Sequence, residues 1–241
     1  MFMSIMYHHV NSDRCSNPVE MLEQHLRYIK ANFKTVFPGE AILGDTVCLT
    51  FDDAYADFYY LIFPLLKKYN LKALLAVPSQ YILDDTDNSP SKRMGFEHND
   101  LFDNYQQATF CTYKELAEML LSGLVQIGSH SHSHVNLLSE GVDVSSELMR
   151  SKQILEDKLN IAVNSFVFPF GKYNPSVLRM AREYYPYVFR IGNAIHANFS
   201  GIHDVIYRVK GDELKSPDAI FKPTQIFKYR FKALIKRLAH G

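Results

Sequence analysis

Apolar and polar positions along the 241-residue chain alternate between two kinds of segment. Short apolar runs rich in β-branched and aromatic residues recur at Ile5 to Tyr7, Thr46 to Phe51, Ala73 to Val77, Val125 to Ile127, Ser165 to Phe168, Tyr187 to Ile191 and Ile206 to Val209. Their composition and length predict strands. Longer segments between them predict helices. Pro18 to Asn32 has Asn17 as a cap and Pro18 at its first position. Asp57 to Tyr69 is expected to kink near Pro64. Thr112-x-x-Glu115 has capping-box spacing, so a helix should run on to about Ser122. Val144 to Leu159 carries apolar residues at Leu148, Ile154, Leu155 and Leu159, and a last helix covers Pro175 to Tyr185. Strands that alternate with helices predict an α/β layout.

Two segments break the alternation. Asp84 to Asn104 is rich in Asp, Asn, Ser and Lys and predicts a long loop, a candidate lid over a site. From Phe221 the chain carries Lys222, Lys228, Arg230, Lys232, Lys236 and Arg237 with no acid, interleaved with Ile226, Phe227, Tyr229, Phe231, Leu234, Ile235 and Leu238. This divides the chain into a domain over 1–220 and a basic amphipathic tail over 221–241. The tail has two readings: a segment lying on an anionic membrane, or a helix packed on the domain with its lysines outward.

Composition narrows the partners. Hydrophobic residues make up 47% and charged residues 22%, a globular balance. Lys+Arg and Asp+Glu both number 26, so no global field recruits nucleic acid or a membrane. Cys15, Cys48 and Cys111 are far apart and odd in number. They predict neither a cysteine zinc site nor a disulfide framework, and fit a reducing compartment. The N-terminus lacks a basic leader and a sustained apolar stretch, and no apolar run is long enough to span a bilayer. The expected location is the cytoplasm, at the inner membrane face if the tail docks there. Oligomeric state is not legible.

Three short segments, each just after a strand, carry candidate chemistry. Sites in parallel α/β folds collect at the carboxyl ends of strands, so these segments can converge. Asp52-Asp53 ends Thr46 to Phe51. Adjacent carboxylates repel unless a cation neutralises one, which would leave the other as a free base. Taken alone, the pair reads more readily as a helix cap and a solvated acid. His130-Ser131-His132-Ser133-His134 follows Gln126-Ile127-Gly128. One turn or a tight loop brings His130 and His134 to one face and points His132 elsewhere. Two imidazoles and a carboxylate suit zinc, and also cobalt or nickel. Phe168-Pro169-Phe170-Gly171 alone is only a strand ending in a turn.

Together and in this order, Thr50-Phe51-Asp52-Asp53, His130-Ser131-x-x-His134 and Phe168-Pro169-Phe170-Gly171 resemble the motifs of the polysaccharide deacetylase family. Tyr7-His8-His9-Val10, with Pro18 to Leu26, resembles its poly-N-acetylglucosamine deacetylase branch. The resemblance covers roughly residues 1 to 210. It implies a distorted (β/α) barrel and removal of N-acetyl groups from an amino-sugar glycan. It implies that Asp53, His130 and His134 bind a divalent metal and that Asp52 is the base. Phe170, flanked by Pro169 and Gly171, would offer its backbone N–H to the oxyanion.

The chain departs from the family pattern at several points. Ala54 replaces the glycine that usually follows the two aspartates. Val167 stands where many members carry an arginine that orients the base; Arg208 or Arg190 could replace it in space. There is no tryptophan. Ile202-His203-Asp204 has the letters of the late Leu-His-Asp motif, so His203 is a candidate acid, with His196 as a second. His8 and His9 are candidates to line the groove. Two other functions fit the same residues. One is deacylation or deformylation of a lipid-linked sugar. The other is a glycan-binding relative with little catalysis.

Overall fold

The computed structural model describes residues 1–239. The apolar runs form parallel strands: β1 (Phe2–Tyr7), β5 (Thr46–Phe51), β6 (Ala73–Val77), β7 (Val125–Ser129), β8 (Ser165–Val167), β9 (Tyr187–Ile191) and β10 (Ile206–Lys210). Each pairs in parallel with the next, and β10 returns to β1, which also pairs with β5. The result is a closed seven-stranded barrel. Short pieces escaped sequence reading: β2 (His9–Val10), β3 (Ser16–Asn17) and β4 (Lys34–Thr35). β4 lies beside the start of β5, pairing Lys34 with Thr46. The barrel is thinnest between β7 and β8, where Ser129 opposite Phe166 is the single paired position.

Strand alternation explains how the barrel sorts its side chains. Phe2, Cys48, Leu74, Ala76, Val167, Phe189 and Ile206 form one buried cluster inside the barrel. Met3, Ile5, Tyr7, Val47, Leu49 and Phe51 belong to the larger cluster beneath the surrounding helices. Continuing the inward set toward the carboxyl mouth passes Ser4 and Met6 on β1 to His8 just beyond it, and Thr50 on β5 to Asp52 just beyond it. On β10 it passes Ile206 and then Arg208.

The helices are α1 (Val19–Asn32), α2 (Phe63–Tyr69), α3 (Pro90–Arg93), α4 (Tyr113–Leu121), α5 (Val144–Leu159), α6 (Pro175–Tyr184) and α7 (Pro223–Leu238). Thr112 and Glu115 make the expected capping box. Asn17 does not cap α1. Its amide instead donates to the Gly211 carbonyl at 2.8 Å and its oxygen accepts from Leu214 N–H. Asn11 supplies the oxygen that meets Val19 N–H at 3.0 Å. The kink expected near Pro64 is a wide π-turn over Phe58–Ile62, which absorbs the N–H that proline lacks.

The segment 84–104 is more ordered than its polar composition suggested. Buried Arg93 donates twice to Glu115, at 2.6 and 2.8 Å, and also to the carbonyls of Ala108 and Phe110. Glu115 is the capping-box residue of α4, so one arginine pins the segment to a helix start. α7 begins where Phe221 stacks on Phe33, with ring centroids 4.5 Å apart.

Candidate metal centre and active site

Asp52 and Asp53 follow β5 and point into the carboxyl mouth. The backbone of Asp53 and Ala54 is left-handed, with φ of 72° and 57°. A glycine adopts that turn freely, whereas an alanine pays for its Cβ, so the Ala54 departure stores strain beside the site.

His130 and His134 come together through a tight loop. Ser131 is left-handed at φ 63°, and its hydroxyl accepts from His134 N–H at 3.0 Å. His132 turns away to Ser79, at 2.9 Å. His130 Nδ1 lies 2.8 Å from the Val167 carbonyl, across the thin seam between β7 and β8. A carbonyl can only accept, so Nδ1 carries the proton and Nε2 presents its lone pair. Burial lowers the His130 pKa to about 4, which keeps the imidazole neutral. His134 stacks on Phe102, with centroids 4.7 Å apart, and lies near the Phe170 ring.

The donor atoms of Asp53, His130 and His134 lie within 4.8 Å of one another. Asp53 Oδ1 is 3.1 Å from His134 Nε2 and 3.4 Å from His130 Nε2. It is nevertheless buried without a hydrogen bond. A carboxylate oxygen facing imidazole lone pairs is repulsive until a cation sits among them. The three residues therefore fit a divalent metal.

Asp52 stands beside this cluster with a different partner. Arg208 reaches across the barrel and holds both its oxygens, at 2.5 and 2.8 Å. Burial would raise the Asp52 carboxyl; the Arg208 guanidinium outweighs it and holds it below the ordinary range. Of the two candidate arginines, Arg208 is the one that meets Asp52, while Arg190 faces outward against the Tyr173 and Tyr207 rings.

His8 completes the mouth. Its Nε2 is 3.8 Å from Asp52 Oδ2, and its Nδ1 is 2.8 Å from Asp212 Oδ2. Asp212 also accepts from the His8 backbone N–H at 3.0 Å. The chain brings Asp212 there past Gly211, where a Cβ would strike the Tyr7 ring at 2.3 Å. Burial pulls His8 down, but Asp212, Asp52 and Asp53 together push it up to about 10. Phe170 is left-handed at φ 55° and Gly171 at φ 62°. His8, Asp52, Asp53, His130, His134, Phe170, Gly171 and Arg208, with His98, Phe102 and Ile191, line a cavity of about 420 Å³.

Three candidates fall outside this mouth. His9 alternates away from His8: it stacks on Tyr55, pairs with Asp57 at 3.1 Å and lines a neighbouring cavity. His203 precedes β10, so it lies at the amino end of the barrel, where Nε2 meets the Arg237 carbonyl at 3.2 Å. His196 is at that end too, bonded to the carbonyls of Asn198 and Tyr207. Asp212 was missed because Gly211-Asp212-Glu213 carries no motif. His8 was readable by counting inward from Phe2 by twos.

A closed parallel barrel is also the fold of the solved deacetylases to which this chain is similar. The polysaccharide deacetylase family profile matches residues 42–187, more than half of the chain, and the chain belongs to that family. It is 27% identical over 193 residues to the provisionally named polysaccharide deacetylase YxkH of Bacillus subtilis (strain 168). The match covers 74% of this chain and 60% of YxkH. It is 23% identical over 164 residues to the poly-beta-1,6-N-acetyl-D-glucosamine N-deacetylase of Escherichia coli (strain K12), covering 56% of this chain but 23% of that protein. The chain thus spans less than two thirds of the length of these curated relatives, 60% of the first and 23% of the second. Solved structures agree in fold. The Streptococcus pyogenes deacetylase PplD, in complex with acetate, superposes with a TM-score of 0.71 at 22% identity, covering 92% of this chain and 96% of PplD. IcaB from Ammonifex degensii gives 0.71 at 22%, covering 98% and 97%.

Proposed function

We propose that this chain hydrolyses the N-acetyl groups of an amino-sugar glycan. The observation that carries the reading is the division of labour at the mouth. Asp53, His130 and His134 form one donor set, and Arg208 holds Asp52 apart from it as an ionised, oriented carboxylate. The donor set suits zinc, with cobalt or nickel as alternatives. When bound, the metal would polarise the acetamide carbonyl and lower the pKa of water.

The chain's own residues then divide the proton traffic. Asp52 accepts a proton from the attacking water as its oxygen bonds the carbonyl carbon. Arg208 keeps Asp52 aimed and ionised. The Phe170 backbone N–H, between Pro169 and Gly171, faces the developing oxyanion. As the C–N bond breaks, His8 gives its proton to the leaving nitrogen, held in that role by Asp212. The products are acetate and a free amine on the sugar. His8 takes the acid role that the sequence offered to His203.

A second substrate reading has one observation in its favour. The exposed apolar face of α7 would suit work on a lipid-linked sugar at a membrane, with removal of an acetyl or formyl group. A panel of N-acetylated oligosaccharides, set beside lipid-linked acetyl and formyl sugars, separates the readings by which acid is released. Metal uptake without release of acetate or formate from any of them would leave a glycan-binding protein.

A further inference from the structure

We propose that α7 is an interfacial anchor that lays its outer face on an anionic lipid surface. The helix meets the rest of the molecule along a narrow edge. Tyr229 and Ala233 are buried, and Ile226 and Lys236 are partly covered. Ala233 packs with Ala194, Ile202, Val205 and Tyr207, and Lys236 sits 4.3 Å over the Tyr207 ring. At about 100° per residue these positions share one side of the helix.

The opposite side is also apolar. Phe227, Phe231, Leu234, Ile235 and Leu238 are between 49% and 70% exposed, or 71% at Phe227. Their spacing is that of one continuous helical stripe. The packed edge explains the first apolar face. Among the described residues nothing covers the second, and a contiguous stripe of large apolar side chains marks an interaction surface.

Charge identifies what covers it. Lys228 and Lys232 border the stripe on one side, and Arg230 and Arg237 on the other. The helix contains no acidic residue. Among the described residues none of these four is in an ion pair, so their charge is uncompensated. An apolar stripe between two cationic borders matches the acyl boundary beneath anionic headgroups. Two copies meeting face to face would set cations against cations with no carboxylate to offset them. Among the described residues no helix is long and apolar enough to cross a membrane, so the contact is along its surface. This inference does not rest on the deacetylase reading, because vesicle binding needs no turnover.

The chain has no tryptophan, so Phe231→Trp supplies a single reporter on the stripe. The full chain should co-sediment with mixed phosphatidylglycerol–phosphatidylcholine vesicles and not with phosphatidylcholine alone. The reporter's emission should shift to the blue and be quenched by brominated lipid. Lys228→Glu with Arg230→Glu should weaken binding by at least about tenfold, at about 1 kcal/mol per charge. A Phe227→Gln, Phe231→Gln, Leu234→Gln variant should lose binding while its unfolding temperature stays unchanged or rises. No sedimentation, equal binding to neutral vesicles, or an unshifted reporter would overturn the proposal. So would a solution dimer that the triple variant dissociates, since a second copy would then be what covers the stripe.

Discussion

The two mouths of the barrel both carry histidines, and they are chemically unlike. At the carboxyl mouth His8, His130 and His134 face Asp52, Asp53 and Asp212 across short distances. At the amino mouth His196 and His203 meet backbone carbonyls. A carbonyl fixes which ring nitrogen carries the proton, as Val167 does for His130, and brings no charge to the ring. A carboxylate either charges it, as Asp212 does to His8, or shares with it a site that fits a cation, as Asp53 does. Parallel strands explain the asymmetry, because every loop that follows a strand opens at the same end. His8 and His9 repeat the contrast over a single residue: both pair with an aspartate, but the strand alternation sends one into the site and the other out.

The largest effect that sharpens this contrast is expected at Asp52. Asp52→Asn should cut kcat by roughly a thousandfold or more, with metal content unchanged, measured by acetate release and metal analysis. Near-normal turnover would remove Asp52 as the base.

That residue also marks how far the sequence could be read. Strand and helix runs were legible because burial on both faces turns the barrel strands into continuous apolar runs, and burial of one face sets the apolar spacing on α5. The candidate metal donors Asp53, His130 and His134 were legible because Asp52-Asp53 and His130-x-x-x-His134 are each local in the chain. The Arg208–Asp52 pair spans 156 residues, and Asp212 reaches His8 across 204. Such pairings depend on barrel closure, which no local pattern encodes. The segment 84–104 is largely the loop its composition predicts, with one turn of helix at Pro90–Arg93, but what anchors it was hidden for a related reason. Arg93 sits in a polar run, and only its distant partner Glu115 makes it a core residue.

Arg93 therefore offers the second-largest effect, outside both mouths. Arg93→Met should destabilise the fold by about 3–5 kcal/mol, because Glu115 would be left buried and unpaired. Denaturant unfolding would show it, and a loss below about 1 kcal/mol would contradict the pinning role.

The acid role of His8 comes next. Asp212→Asn should cost roughly a hundredfold in kcat. Its pH profile carries the sign. Turnover needs His8 protonated, so activity should fall as pH rises through about 10. Without Asp212 that alkaline limb should move to lower pH. The acid limb follows Asp52, whose lowered pKa keeps it ionised into acid solution. At the other mouth, His203→Gln should leave both limbs and kcat within about twofold, by the usual smallness of exposed substitutions. An alkaline limb that follows His203 and ignores Asp212 would reverse the assignment.

The smallest effect is a gain. Ala54→Gly relieves a left-handed alanine and should stabilise the protein by up to about 1 kcal/mol, since glycine's extra unfolded freedom offsets part of the relief. Thermal unfolding would detect it, and a clear loss would mean that the Ala54 methyl contributes more by packing than its backbone strain costs.

The central claim is that a metal held by Asp53, His130 and His134 works with Asp52 on an N-acetylated glycan. The most direct test is to titrate zinc or cobalt back into the metal-stripped protein while following acetate release. The account predicts no release at the start, a rise that saturates near one metal per chain, and no rise in His134→Ala. Full release from the stripped protein, or an equal rise in His134→Ala, would contradict it.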